Sequence, residues 1–122
     1  MNVCLIGNGI STLILANVLA NRNIKVSIYE EAQPKKKLIT RTLGISKKNF
    51  NYLIKEKINI ERKSWPVNKI KIFNEIENSK EILNFGSKSD KIFYIIKYRD
   101  LINLLYTRIK QNKVVKIGRA HV

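Results

Sequence analysis

The chain has 122 residues, enough for one small domain around one hydrophobic core. Hydrophobic residues make up 44% and charged residues 27%, the balance of a soluble globular protein. No apolar run is long enough to cross a bilayer, and Met1 leads straight into an apolar segment without a basic stretch or cleavage site, so neither a transmembrane helix nor a secretory signal is expected.

The formal charge is +15, yet the chain is dominated by Lys, Ile and Asn, the products of AT-rich codons. Lysine scattered in this way reads as solvated surface, and Lys35-Lys36-Lys37 beside Gln33-Pro34 as a polar loop. Aromatics do not interleave with the lysines, so no nucleic-acid partner is expected. The single cysteine, Cys4, forms no internal disulfide, which suits a reducing cytoplasm, and its place in an apolar run predicts a buried, inert thiol.

In chain order, residues 2–6 read as a short buried strand. Residues 10–21 are apolar almost all round, which predicts a helix packed under a sheet. KVSIY, residues 25–29, alternates as a strand and ends at Glu30. Strand, helix and strand in about 30 residues is the length of a βαβ unit. Residues 31–40 read as loop. A second helix should start near Ser46, its N-cap, and run through Phe50, Leu53 and Ile54. Trp65-Pro66 should break the pattern. Ile70, Ile72 and Ile76 mark a half-exposed strand; residues 82–85 and 92–96 are two more, separated by the turn-like GSKSD. Leu101, Ile102, Leu104, Leu105 and Ile109 fall at helical spacing, and residues 113–117 predict a last strand.

The ending IGRAHV differs in composition from all that precedes it. Back-translated as ATC GGA AGA GCA CAC GTC it matches a common sequencing adapter, whose next codon in frame is a stop. Residues 117–122 are therefore expected to be adapter read-through. His121 receives no metal or catalytic role, having no partner.

The chemistry lies in GNGIST, residues 7–12. Gly7 permits a tight turn out of the first strand, and Gly9 lets backbone approach a pyrophosphate. Free N–H groups and the helix dipole then favour phosphate charge. Ser11 lies in that first turn. Thr12 stands where the usual pattern has a third small residue for close helix–strand packing. Glu30 follows Gly7 at close to the roughly 20-residue spacing of a ribose-binding acid, and its charge disfavours a 2′-phosphate. These residues predict an FAD or NAD site and do not choose between the two.

GNGIST with VSIYE, then TRTLGIS at 40–46, WPVNKIKIF at 65–73 and IIKYRDLINLL at 95–105, resemble in order and spacing the N-terminal part of the flavin-dependent ubiquinone-biosynthesis hydroxylases. These are class A aromatic monooxygenases of the p-hydroxybenzoate hydroxylase fold. The resemblance implies an α/β, partial Rossmann-like FAD-binding domain: a βαβ region with its following helix over 1–65, strands starting a substrate domain over 66–97, and a helix and strand returning over 98–116. It implies FAD held by Gly7, Gly9, Ser11, Thr12 and Glu30, with Arg41 and Arg99 on the cofactor side. Ile39 replaces the aspartate of the arginine segment, and Gly44 its alanine. NAD(P)H would be the reductant and a polyprenylated phenol the substrate. The parent would hydroxylate an aromatic ring with O₂, in the cytoplasm or at the inner-membrane surface beside other ubiquinone-pathway proteins. This stretch alone would be inactive. Another FAD- or NAD-dependent oxidoreductase, or a basic module binding nucleic acid or membrane, are the other readings of the residues.

Overall fold

The computed structural model describes residues 1–30, 40–76, 80–86 and 90–119. The loop expected over 31–40 lies outside them apart from Thr40, as do Ile39 and the lysine run at 35–37. The chain opens with β1 (Asn2–Ile6), α1 (Ile10–Asn21) and β2 (Lys25–Glu30), and closes with α3 (Tyr98–Gln111) and β8 (Val115–Arg119). Between them lie β3 (Thr42–Ser46), α2 (Lys47–Lys55), β4 (Ser64–Val67), β5 (Lys69–Asn74), β6 (Lys80–Gly86) and β7 (Phe93–Lys97). The protein is an α/β fold.

β1, β2 and β8 form a parallel sheet in the order β1-β2-β8. Parallel pairing requires a crossover, and α1 supplies the first. Register places Val3 beside Val26 and Leu5 beside Ile28, so these side chains share one face. Val26 and Ile28 are buried there in one core with Leu13 and Ala16 of α1 and Leu101, Leu105 and Ile109 of α3. The buried positions of α1 (Leu13, Ala16, Asn17 and Ala20) fall at helical spacing. Asn17 is satisfied inside the core: its amide donates to the carbonyls of Leu13, 2.8 Å away, and Leu105, 3.4 Å away. That second bond ties α1 to α3.

The opposite sheet face is bare among the described residues. Cys4 is exposed there, correcting the expected buried thiol, and Ile6 (84%) and Tyr29 (44%) share its exposure. β1 is therefore only half buried, and Leu15 of α1 is 44% exposed despite the helix being apolar all round. An apolar run identifies a strand; it does not say how many of its faces are covered.

Both α1 and α2 end in left-handed caps. Asn23 has φ 57, with the N–H of Asn23 bonded to Ala20 and that of Ile24 to Leu19. Lys57 has φ 64, with its own N–H bonded to Ile54 and that of Ile58 to Leu53. These are paired Schellman caps, in which the chain reverses while the last carbonyls stay satisfied. The residues just before the two reversals meet. Arg22 grips Glu56 with both Nη atoms, at 3.0 and 2.8 Å, and Asn21 donates to the Glu56 carbonyl at 2.7 Å. Hydrogen bonding from Arg22 holds the Glu56 carboxyl below its usual range, against the opposing effect of its burial.

The expected N-cap Ser46 accepts from the N–H of Asn49 at 3.1 Å. α2 then lays Phe50 flat on Tyr94 of β7, ring centroids 3.7 Å apart. β3, β7 and β4 form an antiparallel sheet with β7 central. The expected break at Trp65-Pro66 is instead strand β4. It lies at the sheet edge, where a proline's missing N–H interrupts no ladder. β5 and β6 pair as a separate antiparallel ribbon with Ile72, Phe73, Ile82, Leu83 and Phe85 substantially exposed; Ile76, expected to continue the alternation, lies beyond β5 and is 92% exposed. No described helix is long and apolar enough to cross a membrane.

Two outcomes follow from this packing. Leu105→Ala, at a fully buried position on the α1–α3 seam, should cost about 2–5 kcal/mol in urea unfolding. Glu56 in the native state sits below its ordinary value of 4.5, so near that pH it binds fewer protons than in the unfolded chain. Its contribution is complete above pH 4.5 and is lost as pH falls below it. The melting temperature of the wild type should therefore drop on acidification through that range, and Glu56→Gln should flatten the drop.

Candidate functional site

The turn after β1 has the backbone that its glycines allow. Gly7 has φ +115, a region closed to most side chains, and its N–H donates to the Tyr29 carbonyl at 2.8 Å. That bond brings the turn against the end of β2, one residue from Glu30. Gly9 is the N-cap of α1, with φ −73 and ψ 171, values any residue can adopt. A Cβ built on it would meet nothing within 4 Å, so the approach to the helix start is open. No side chain caps this end and no acid lies in its first turn. The first backbone N–H groups and the positive end of the dipole are thus presented to whatever enters.

Ser11 is exposed in that first turn. Thr12 folds back over the turn, its Oγ1 3.6 Å from where a Gly7 Cβ would stand. Its hydroxyl makes no hydrogen bond among the described residues. The branched side chain at the third position is accommodated because Gly7 has no side chain of its own. The residues present fit a dinucleotide pyrophosphate at this turn.

Glu30 ends β2 and lines an open cleft of about 510 Å³ with Asn103, Tyr106, Thr107, Lys110 and Ile117. Its Oε2 accepts from the Tyr106 hydroxyl at 2.6 Å. Burial, then the Glu30 carboxylate, raise the Tyr106 phenol well above its usual range, so it remains a donor across physiological pH. The Asn8 side chain, in the middle of the glycine turn, acts in the opposite direction on the same phenol. The ribose-acid candidate and α3 therefore meet at one hydroxyl, one residue from where the turn is bonded to β2.

The sequence does not announce Tyr106. Asn103, Tyr106, Thr107 and Lys110 stand at helical spacing beside the apolar stripe of α3, but only the fold reveals that this stripe's neighbour faces Glu30.

Arg41 and Arg99 both lie at the start of α3, Arg41 beside Tyr98 in the structure and Arg99 next to it in the chain. The N–H of Tyr98 donates to the Arg41 carbonyl at 3.0 Å, and the Arg41 guanidinium lies over the Tyr98 ring, 4.3 Å from its centroid. Arg99 is the next residue and is exposed. Lys97 caps the helix start without a side-chain bond. Neither arginine hydrogen-bonds or ion-pairs with the glycine turn or Glu30 among the described residues. Gly44 is an exposed position of β3.

Neither a protein-family model nor a curated protein matches the sequence. Solved structures do. PqsL of Pseudomonas aeruginosa, ascribed an FAD-dependent monooxygenase activity, superposes on 98% of this chain at TM-score 0.80 and 15% identity in its complex with 2-aminobenzoylacetate. The p-nitrophenol 4-monooxygenase PnpA from Pseudomonas putida DLL-E4 superposes on 96% at TM-score 0.77 and 13% identity. The 2-methyl-3-hydroxypyridine-5-carboxylic acid oxygenase does so on 97%, also at TM-score 0.77 and 13% identity. The chain has the fold of the N-terminal part of these monooxygenases and spans about a third of their length (33%, 31% and 31%). At such identities the likeness is one of fold.

Gly7→Ala should cost about 1–3 kcal/mol in chemical unfolding, since alanine must adopt the positive φ while the surrounding space stays adequate.

Proposed function

We propose that the chain is the FAD-binding N-terminal part of an NAD(P)H- and O₂-dependent aromatic-ring hydroxylase of ubiquinone biosynthesis, inactive as this stretch alone. The observation that carries the reading is the conjunction at the end of β1 and β2: a positive-φ glycine, an uncapped helix N-terminus with open approach, and a carboxylate at the neighbouring strand end. The fold shared with FAD-dependent monooxygenases supports FAD over NAD. The aromatic compounds named for those neighbours support a small aromatic substrate. The block resemblance supports the ubiquinone pathway, a polyprenylated phenol and a place beside other proteins of that pathway.

In this reading the α1 N-terminus and the Gly7-Asn8-Gly9 turn bind the pyrophosphate, with Ser11 and Thr12 in the same first turn. Glu30 accepts from the adenosine ribose. Arg41, held over Tyr98, and Arg99 lie on the cofactor side and supply positive charge. Bound FAD, reduced by NAD(P)H, supplies the oxygen-activating chemistry that no side chain here provides. Residues 1–65 and 98–116 would together build the cofactor domain, and 66–97 would begin the substrate domain.

Gly9→Asp separates the fold from the function. Aspartate is a good N-cap and its charge suits the helix dipole, so the free chain should be as stable or slightly more so. The same side chain fills the open approach and repels phosphate, so affinity for FAD, read by calorimetry or flavin fluorescence, should fall about tenfold or more. Unchanged FAD affinity in a folded Gly9→Asp chain would overturn the proposal.

A further inference from the structure

The shortest side-chain hydrogen bond described in this site joins two residues 76 positions apart: Tyr106 of α3 to Oε2 of Glu30, at 2.6 Å. Oε1 of Glu30 has no partner among the described residues. A carboxylate has room for several donors, and one oxygen fixed by a neighbour leaves the other to receive a ligand. The Tyr106 phenol is itself constrained, for it flanks the helix face anchored by fully buried Leu105 and by buried Leu101 and Ile109, and packs against their core. The Gly7 N–H of the glycine turn bonds the carbonyl of Tyr29, the residue before Glu30, at 2.8 Å. The segment suited to a pyrophosphate thus adjoins the acid suited to the ribose attached to it, and Tyr106 holds that acid.

We propose that Tyr106 is a positioning residue of the adenosine subsite: by donating to Oε2 it fixes the Glu30 carboxylate so that Oε1 accepts from the ribose diol. The inference rests on the reading of this turn as an adenine-dinucleotide site. Burial and the carboxylate keep the phenol protonated, so the donor is present at every pH at which the chain is folded near neutrality. Lys110, whose Nζ lies 6.0 Å from the Tyr106 ring centroid, flanks the same cleft and adds positive charge beside the acid.

ADP is the appropriate probe, because the adenosine-diphosphate half of the ligand is what β1, α1, β2 and β8 would bind. Calorimetry of the 122-residue chain with ADP and with its 2′,3′-dideoxy analogue should show a preference for the intact diol. Tyr106→Phe keeps the ring, and with circular dichroism confirming the fold it should weaken ADP binding about three- to tenfold, the value of one hydrogen bond, while leaving the dideoxy analogue unaffected. In a Glu30→Gln background the same substitution should lose its effect on ADP. A purely structural tie would instead lower both ligands equally or neither, and would overturn the inference. Tighter ADP binding by Tyr106→Phe would also overturn it, by showing that the phenol competes with the ribose for Glu30. If the wild-type chain fails to bind ADP, or binds it without regard to the diol, the dinucleotide reading fails and takes this inference with it.

Discussion

The seam between α1 and α3 is the contact on which the rest of the structure depends. Leu13 and Ala16 from one helix and Leu101 and Leu105 from the other share one fully buried core. Asn17 adds direction to what would otherwise be apolar adhesion. An amide this deep is tolerable only if bonded, and one of its acceptors is the Leu105 carbonyl across the seam. Sliding α3 along α1 would leave the amide only its bond to Leu13 within α1 and one N–H unpaired, so the helices have one favoured register. That register carries β8 to the side of β2 and turns the polar flank of α3 toward Glu30.

The site at the strand ends uses very little chemistry of its own. It offers backbone N–H groups and a carboxylate with one oxygen spoken for. Such an arrangement suits holding a large anionic cofactor and letting that cofactor react. Sequence identity of 13–15% to the monooxygenases of this fold leaves the scaffold intact while almost every side chain differs. Thr12 shows how: a bulkier residue replaces a small one in the motif and settles over the glycine that precedes it.

What the sequence made legible was local. The strand–helix–strand opening, the Ser46 cap and the apolar stripe of α3 each depend on residues a few positions apart, and the structure contains them all. The α/β class followed from the same pattern. Pro66 misled because its effect depends on whether its strand is central or at an edge, which is a property of the sheet. Cys4 misled because an apolar run does not reveal that only one face of β1 is covered. Tyr106 was invisible because its partner is far away along the chain and its own helix advertises the neighbouring, apolar face. The turn glycines and Glu30 were legible as candidates through spacing alone.

The parallel pairing of β2 with β8 has a kinetic consequence. Val26 lies opposite Val115, so almost the whole chain must be gathered before that ladder can form. Closing so long a loop is entropically uphill until contacts reward it, whereas the β5–β6 ribbon and the α1 turn need only nearby partners. The α3–β8 arm is therefore expected to dock late. Until it does, Glu30 lacks both the strand that flanks it and the phenol that orients it. The acid and the glycine turn can be in place from the first thirty residues, but the cleft around them is completed only by the last act of folding.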